Sequence, residues 1–364
     1  MDTRKPERCF AACAPGLERF VRAELLALGI RAPFDRTGGV EFQATTRQLY
    51  AMNVWSRIAS RVLVRVSTFD ASTFADLERG VERIGWSRYL PPGSGASFRV
   101  TTSKSAALYH SGAVTDRLTR ILGEGEQLVV VRIGSDNRAT MSVDSSGEHL
   151  HRRGWRLAVA KAPLRETLAA ALLTAAGWDG SAPLLDPLCG SGTIPIEAAL
   201  IARRRPPGLD RRFAFQGWPS FEPGTWASVI GAAKAGLAMS AGRLPLIRGS
   251  DRDPGAIEAA TANAERAGVR DDVAFSVCSL SSAVPSAGAG WLVSNPPYGA
   301  RVASAADRRN LFARYGAIAR HEGEGRRVAL LASDIGLARH CGVPLVEAFR
   351  TTSGGIAVLG LVSP

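Results

Sequence analysis

The tetrapeptide Asn295-Pro296-Pro297-Tyr298 has residue types and spacing that suit one chemistry. An apolar-leaning segment, Trp291-Leu292-Val293, leads into it, and two prolines stop a strand, so we predict a buried strand that ends in a rigid polar corner. Such a corner fits methyl transfer to the exocyclic amine of a nucleobase, a weak nucleophile because its lone pair is delocalised into the ring. The side-chain oxygen of Asn295 and the Pro296 carbonyl would each accept one N–H, and Tyr298 would offer a face for stacking. The alternative is an ordinary strand-terminating turn with a tyrosine on the surface.

A second polar corner lies upstream, where an apolar strand around Leu184-Leu185 ends at Asp186. The turn Gly190-Ser191-Gly192-Thr193 follows, and glycines at a strand–helix turn let the backbone approach a ligand closely above the helix N-terminus. The next strand, predicted over residues 244–250, ends at Asp251, a carboxylate placed to accept both hydroxyls of a ribose. The sequence therefore predicts that this corner binds a ribose-containing ligand.

The predicted strands and helices alternate, and this alternation positions both corners. From residue 182 onwards we expect strands near 182–186, 244–250, 273–277, 291–294, 327–332, 343–349 and 355–361. Strands alternating with helices are typical of a doubly wound α/β sheet, which binds ligands at the carboxyl ends of its strands, where both corners fall. Two smaller α+β units come first, so we predict three domains, 1–69, 70–155 and 156–364.

The composition is that of a globular protein, 46% hydrophobic and 21% charged in 364 residues. No apolar run approaches the ~18 residues of a membrane span, and no signal-peptide segment follows the charged start, so we expect a cytoplasmic protein without a membrane partner. The five cysteines are scattered and odd in number, as in proteins of a reducing compartment. Cys9 and Cys13 are spaced like a pair of metal ligands, but no second pair follows, so we expect no metal site.

The net charge of +12, from 45 basic and 33 acidic residues, indicates an acidic partner surface, most naturally a phosphate backbone. The basic and aromatic connector from His149 to Arg156 suits a domain junction near nucleic acid. Among the basic residues we expect phosphate contacts from Lys104, Arg152, Arg153 and Arg156; for each, a solvated charged face is the alternative. The basic segment 203–225 is too long for a helix connector, and we predict a substrate-facing loop there.

Taken together, the glycine corner, Asp251 and the Asn-Pro-Pro-Tyr corner resemble class I S-adenosylmethionine-dependent methyltransferases that methylate amines. Four segments extend the similarity over nearly the whole chain and look like the THUMP-domain RNA guanine-N2 methyltransferases: residues 10–18, 55–61, 162–169 and 185–193. The sequence is most similar to the amino-terminal half of the members that methylate 23S ribosomal RNA. This resemblance implies a Rossmann-like catalytic domain with a seven-stranded doubly wound sheet, preceded by a ferredoxin-like unit and a THUMP RNA-binding domain.

The resemblance also implies roles for individual residues. Asn295, Pro296, Pro297 and Tyr298 would form the catalytic corner, in which Asn295 and the Pro296 carbonyl accept the guanine N2 hydrogens and Tyr298 or a neighbour stacks on the base. S-adenosylmethionine would be bound by Asp186, Pro187, Cys189, Gly190, Ser191, Gly192, Thr193, Asp251, Ser279 and Asn295. Ser279 stands where the family often has an acid for the cofactor's adenine amino group, and its hydroxyl can still accept one hydrogen bond. RNA is the expected partner, and the sequence indicates no obligate protein partner.

Three alternatives stay open. Full-length members of this branch carry a second methyltransferase, which the sequence up to Pro364 does not show, and related members with one methyltransferase modify transfer RNA. An adenine-N6 methyltransferase of DNA or RNA shares the Asn-Pro-Pro-Tyr chemistry, although the N-terminal half resembles RNA-binding modules. The third alternative is a non-catalytic RNA-binding assembly factor, against which the intact Asp186, Gly190, Gly192, Asp251 and Asn295 argue.

Overall fold

The computed structural model describes residues 6–157, 164–239, 242, 244–283, 290–297, 305–320 and 326–364. The strands of its N-terminal half are β1 (Glu7–Ala12), β2 (Phe34–Arg36), β3 (Gly39–Ala44), β4 (Arg61–Asp70), β5 (Ala96–Thr102), β6 (Gln127–Ile133) and β7 (Arg138–Asp144). The helices of this half are α1 (Glu18–Ala27), α2 (Thr46–Trp55), α3 (Phe74–Glu82) and α4 (Ser111–Leu122).

These N-terminal strands form one continuous seven-stranded sheet in the order β2-β3-β1-β4-β7-β6-β5. Strand β4 pairs with β1 on one side and with β7 on the other, both antiparallel. The boundary predicted after residue 69 therefore falls at the end of a strand that both N-terminal units share. Capping motifs mark the starts of two helices. Thr45 and Gln48 form a reciprocal capping box at α2, and Thr73 and Asp76 form one at α3.

The strands of the C-terminal half are β8 (Leu184–Asp186), β9 (Ile247–Asp251), β10 (Val273–Val277), β11 (Trp291–Ser294), β12 (Arg327–Ala332), β13 (Val346–Ser353) and β14 (Ile356–Val362). The helices of this half are α5 (Glu166–Ala176), α6 (Thr193–Ala202), α7 (Pro223–Met239), α8 (Pro254–Arg266), α9 (Ala305–Arg320) and α10 (Ile335–Ala338).

The second sheet has the order β10-β9-β8-β11-β12-β14-β13, with β14 antiparallel to β12. Strands β8 and β11 are far apart in the chain but are parallel neighbours, so the strand order reverses between them. In a doubly wound sheet the crevice at the carboxyl ends of two such strands is the place where ligands bind. The predicted α/β class, with a seven-stranded doubly wound sheet after an α+β region, is confirmed.

The connector between the two sheets is a buried ionic junction. Arg153 has a side chain that is 1% exposed, its Nε lies 3.2 Å from Glu197 Oε1 on α6, and its Nη2 donates to the Arg57 carbonyl over 2.6 Å. Arg156 Nε lies 3.1 Å from Glu166 Oε1. A desolvated guanidinium needs several acceptors, and here the protein itself supplies them. The RNA contacts predicted for Arg153 and Arg156 stay predictions, which these internal bonds do not favour.

The segment 203–225 also packs against the N-terminal sheet, so the predicted substrate-facing loop is wrong. Phe215 is buried and stacks on Tyr50 of α2 with ring centroids 4.2 Å apart. Trp218 packs edge-on against Tyr89 at 5.0 Å and donates from Nε1 to Gln127 Oε1 over 2.7 Å. Arg211 donates to the carbonyls of residues 149 and 152 in the connector and to that of residue 148 just before it. The segment's basic residues and aromatic rings thus help to fix the two sheets together.

Neighbouring arginines of the connector provide a direct stability test. Arg153→Ala would leave Glu197, a fully buried carboxylate, without its closest cation and should lower the free energy of unfolding by about 3–5 kcal/mol. Arg152→Ala is the matched control, because Arg152 is exposed and, among the described residues, forms a salt bridge only with exposed Glu148; it should cost less than about 1 kcal/mol. Urea unfolding, followed by tryptophan fluorescence, measures the free energy of unfolding of both variants. Equal losses in the two would contradict a buried ionic junction at Arg153.

Candidate active site

The crevice between β8 and β11 is built around Asp186. This residue ends β8 and is 1% exposed, and its Oδ1 accepts hydrogen bonds from Ser294 Oγ at 2.6 Å and from the Leu188 N–H at 3.1 Å. Ser294 ends β11, so this bond ties the two strand ends together across the reversal of strand order. Burial raises the pKa of the Asp186 carboxyl to about 7, although the two hydrogen bonds favour the charged form.

The glycine turn is fixed by a second carboxylate. Gly190 N–H donates to Asp251 Oδ2 over 3.0 Å, and Asp253 N–H donates to Asp251 Oδ1 over 3.0 Å. Cys189 N–H donates to the Ser250 carbonyl over 2.9 Å, which binds the same turn to the end of β9. Because each carboxylate oxygen has two lone pairs, Asp251 can still accept one further hydrogen bond at each oxygen.

Close packing explains why this turn is made of glycines. Gly192 has a φ of +84°, and a Cβ there would lie 3.0 Å from Ala260 Cβ and 3.1 Å from Phe275 Cζ. A Cβ on Gly249, in the middle of β9, would lie 2.8 Å from the same phenylalanine ring. The backbone of the turn therefore sits directly on its neighbours, and the first turn of α6 starts at the edge of the crevice.

Asn263 is a residue of this site that the sequence interpretation missed. It is fully buried on α8, and its Nδ2 donates to the Ser191 carbonyl in the glycine turn over 3.1 Å. Arg266, one turn later, donates to Asn263 and to the Trp155 carbonyl in the connector. The sequence signal that could have identified Asn263 is a polar residue on the otherwise apolar face of α8 that also carries Ala256, Ala260 and Ala264.

The Asn-Pro-Pro corner follows β11 directly. Asn295 Oδ1 is buried and has no hydrogen-bond partner among the described residues, Pro296 is buried, and Pro297 is exposed. Tyr298 lies outside the described residues. An unpaired buried amide oxygen is costly unless a ligand supplies a donor, so the orphaned oxygen marks a place for an N–H group.

The other predicted cofactor residues surround the same crevice with different exposure. Pro187 lies in the turn after Asp186; Cys189, Ser191 and Thr193 are buried, and burial raises the pKa of the Cys189 thiol well above its usual value. Ser279 is exposed two residues beyond β10, and its Oγ lies 2.9 Å from Ser281 Oγ. The preceding Cys278 N–H donates to the Asp251 carbonyl over 2.9 Å, which keeps Ser279 beside the end of β9.

The described ranges contain neither a group of three His, Cys, Asp or Glu side chains that could hold a metal ion nor a helix long and apolar enough to cross a membrane. Cys9 and Cys13 are buried free thiols of the N-terminal sheet, and burial raises the pKa of Cys13 to about 12.

Comparison with known proteins connects this geometry to a family. Residues 153–356 match the family model described as "RMKL-like, methyltransferase domain". The chain belongs to this methyltransferase family. Residues 8–63 match a second model, the RlmL ferredoxin-like domain, which covers strands β1 to β3 and the start of β4.

Two relatives and one solved structure match almost the whole chain. A ribosomal RNA large subunit methyltransferase K/L from Syntrophotalea carbinolica is 34% identical over 96% of this chain, and the chain spans about half, 52%, of that relative's length. A candidate RNA methyltransferase from Synechocystis, slr0064, is 33% identical over 95% of this chain and 94% of its own. The crystal structure of SMU.472, a candidate methyltransferase complexed with SAH, superposes with a TM-score of 0.89 at 27% identity, covering 99% of this chain and 98% of its own.

The raised pKa of Asp186 predicts a pH dependence of stability. Because the folded pKa lies above the usual value of 3.8, the folded state holds the proton more tightly than the unfolded state does. This contribution to stability is fully present below about pH 4 and is lost as the pH rises through about 7. Asp186→Asn keeps an acceptor for Ser294 but does not titrate, so the loss of unfolding free energy between pH 5 and pH 8 should be about 1–3 kcal/mol smaller than in the wild type. If the free energy of unfolding fell equally with pH in the wild type and in Asp186→Asn, the raised pKa of Asp186 would be contradicted.

Proposed function

We propose that this protein is an S-adenosylmethionine-dependent RNA methyltransferase that transfers a methyl group to the N2 amine of a guanine. The observation that carries the proposal is the buried, unpartnered Oδ1 of Asn295 at the carboxyl end of β11, beside the crevice that Asp186 and Ser294 form. That oxygen accepts one N–H of the amine, and the Pro296 carbonyl accepts the other. The two acceptors hold the nitrogen and favour a tetrahedral geometry as the methyl group arrives.

The cofactor rests on the glycine turn and on the ends of β8, β9 and β10. Bound S-adenosylmethionine would supply an electrophilic methyl group on a sulfonium. The amine nitrogen would bond to the methyl carbon as the sulfur–methyl bond breaks, S-adenosylhomocysteine would leave, and the proton lost by the amine would pass to solvent, so no covalent enzyme intermediate would be needed. Asp186 and the turn up to Thr193 hold its methionine part, and Asp251 takes the ribose hydroxyls at the lone pairs that its backbone bonds leave open. Ser279, next to β9, accepts a hydrogen bond from the adenine amino group. Tyr298 or a neighbour stacks on the guanine.

We infer that the RNA is 23S ribosomal RNA, with transfer RNA as the alternative. The name of the Syntrophotalea relative supports the large ribosomal subunit, and the match of residues 8–63 to the RlmL ferredoxin-like domain supports the same branch. The Asn-Pro-Pro corner by itself fits the adenine N6 amine equally well, since both targets are exocyclic NH2 groups on planar bases.

Nucleoside mass spectrometry tests the proposal. Ribosomal and transfer RNA from a deletion strain would be separated, digested and compared with wild type. Loss of N2-methylguanosine from 23S RNA is the expected result, and restoration by the plasmid-borne gene is the control. Loss of N6-methyladenosine, or unchanged nucleosides in both RNA classes, would overturn the assignment.

Asn295→Ala should nearly abolish methylation and leave the affinity for S-adenosylmethionine within a few-fold. Loss of one preorganised polar contact at the reacting group should lower kcat ~10²–10³-fold, by analogy with oxyanion-hole donors. Single-turnover methyl transfer to RNA measures the rate, and calorimetry measures cofactor affinity. A variant with near-normal turnover would remove Asn295 from the chemistry.

Asp251→Ala should weaken S-adenosylmethionine binding at least tenfold, because two hydrogen bonds to a carboxylate are worth ~1.5–3 kcal/mol each before solvent screening. Asp253→Ala is the matched control two residues away: Asp253 caps α8 and accepts from the Gly255 N–H over 2.9 Å. Asp253→Ala should lower the free energy of unfolding by about 1 kcal/mol, because it removes a helix cap, and should leave cofactor affinity unchanged. Equal dissociation constants for the two variants would show that Asp251 does not hold the ribose.

A further inference from the structure

The glycine turn is held by hydrogen bonds at each of residues 189–191. The N–H groups of the first two are bound at the end of β9, by the Ser250 carbonyl and by the Asp251 carboxylate. The third bond comes from α8, where Asn263 Nδ2 donates to the Ser191 carbonyl over 3.1 Å. The turn proposed to bind the cofactor is therefore held in part by a helix that carries none of the predicted cofactor residues.

The Ser191 carbonyl belongs to the peptide plane that closes the turn. The N–H group of the same plane, that of Gly192, donates to the Cys189 carbonyl over 2.9 Å, and Gly190 and Gly192 have φ angles of +52° and +84°. Because glycine adopts many backbone conformations at little cost, two glycines do not by themselves fix one conformation of the turn. A bond to the Ser191 carbonyl fixes this plane, and with it the direction of the unpaired N–H groups that begin α6.

Asn263 can make this bond in only one orientation of its amide group. Its Oδ1 accepts a hydrogen bond from Arg266 Nη2, one turn later on α8. A guanidinium only donates and a carbonyl only accepts, so the amide oxygen has to face Arg266 and the amide nitrogen has to face Ser191. Because Asn263 is fully buried, bulk water cannot replace either partner if the amide turns over.

Arg266 extends this chain of hydrogen bonds to the connector. Its Nε donates to the carbonyl of buried Trp155 over 2.9 Å. The connector is itself bound to the N-terminal sheet, because the Leu150 N–H donates over 2.8 Å to the carbonyl of Ser60, the residue before β4. One guanidinium thus bridges the connector and the amide that holds the glycine turn.

We propose that Asn263 is a positioning residue of the cofactor site and that Arg266 makes its action depend on the docked connector. Asn263 acts through the Ser191 carbonyl and keeps the glycine turn in the conformation that binds the methionine part of S-adenosylmethionine. Displacement of Trp155 would release Arg266, and the turn would loosen. This inference rests on the proposed function, in which the turn holds the methionine part. Binding of the cofactor should in return favour the docked connector, because such coupling is reciprocal.

A near-isosteric variant isolates the hydrogen bond to Ser191. Asn263→Asp keeps an acceptor for Arg266 but presents a carboxylate oxygen where the Ser191 carbonyl needs a donor; at pH 8 the cation beside it keeps this carboxylate charged. The matched control is Asn53→Asp on α2, because Asn53 is 1% exposed and donates from Nδ2 to the Leu49 carbonyl over 3.0 Å. Urea unfolding should show losses of stability in both variants, since each leaves a buried carbonyl without its donor.

Calorimetry with two ligands separates the turn from the rest of the cofactor site. S-adenosylhomocysteine carries the amino-acid group that the turn is proposed to hold, whereas 5′-methylthioadenosine lacks it and keeps the ribose and adenine. Asn263→Asp should weaken S-adenosylhomocysteine binding about 10- to 100-fold and change 5′-methylthioadenosine binding less than about twofold. Asn53→Asp should leave both affinities unchanged. Equal losses for the two ligands, or no loss for either, would overturn the positioning role.

Arg266→Ala keeps the test decisive if Asn263→Asp does not fold, because Arg266 is exposed. It should weaken S-adenosylhomocysteine binding roughly three- to tenfold, whereas Arg270→Ala, which removes an exposed arginine just after α8, should have no effect. Hydrogen exchange of residues 149–157 measures the reciprocal effect. S-adenosylhomocysteine should slow this exchange in the wild type and slow it less in Arg266→Ala. Equal affinities of the two arginine variants, or equal slowing of exchange in wild type and Arg266→Ala, would remove Arg266 from the coupling.

The outcomes also separate this inference from the proposed function. If Asp251→Ala weakens the binding of both ligands and Asn263→Asp weakens neither, the cofactor site stands and the positioning role fails alone. If the wild type binds S-adenosylhomocysteine through the turn but methylates no guanine, the proposed function fails and the positioning role stands. If the wild type does not bind S-adenosylhomocysteine, both fail together.

Discussion

One buried hydrogen bond, from Ser294 Oγ to Asp186 Oδ1, joins the two strand ends on which the candidate active site depends. It closes the base of the crevice at the point where the strand order of the second sheet reverses. The glycine turn starts from Asp186 and is fastened to Asp251, and the Asn-Pro-Pro corner starts from Ser294. The positions proposed for cofactor and target amine are thus set by short main-chain segments that leave adjacent strands, so a small error in strand pairing would separate the two groups.

The basic composition serves two different purposes in this fold. Arg153, Arg156 and Arg211 are bound by carboxylates and carbonyls inside the junction, where they connect the two sheets. Arg99, Arg132 and Arg138, on β5, β6 and β7, are exposed to solvent. Net charge alone predicts an acidic partner but cannot say which arginines meet it, because a guanidinium is equally suited to a buried carboxylate and to a phosphate.

The sequence predicted the catalytic fold well because its signals are local: short strands that end at Asp186, at Asp251 and just before Asn295, each followed by a turn. The glycine turn after Asp186, the end of β9 at Asp251 and the Asn-Pro-Pro corner lie at one edge of the sheet. This follows from the alternation of strands and helices, because the carboxyl ends of parallel strands share an edge. Local signals do not reveal long-range partners. Arg153 lies beside Trp155 and Arg156 in a stretch that resembles a nucleic-acid contact, and only the tertiary structure brings Glu197 to it. The single sheet shared by the N-terminal units depends on β4 pairing with β7, some seventy residues later, which periodicity cannot reveal.

The junction is built from contacts that keep the two sheets in one orientation. Surface salt bridges are too weak for this, but the buried contacts of Arg153 with Glu197 and of Phe215 with Tyr50 exclude water and are costly to break. The path from Trp155 through Arg266 and Asn263 to the Ser191 carbonyl continues this junction to the glycine turn. The element that fixes the sheets relative to each other is therefore hydrogen-bonded to the turn proposed to hold the cofactor.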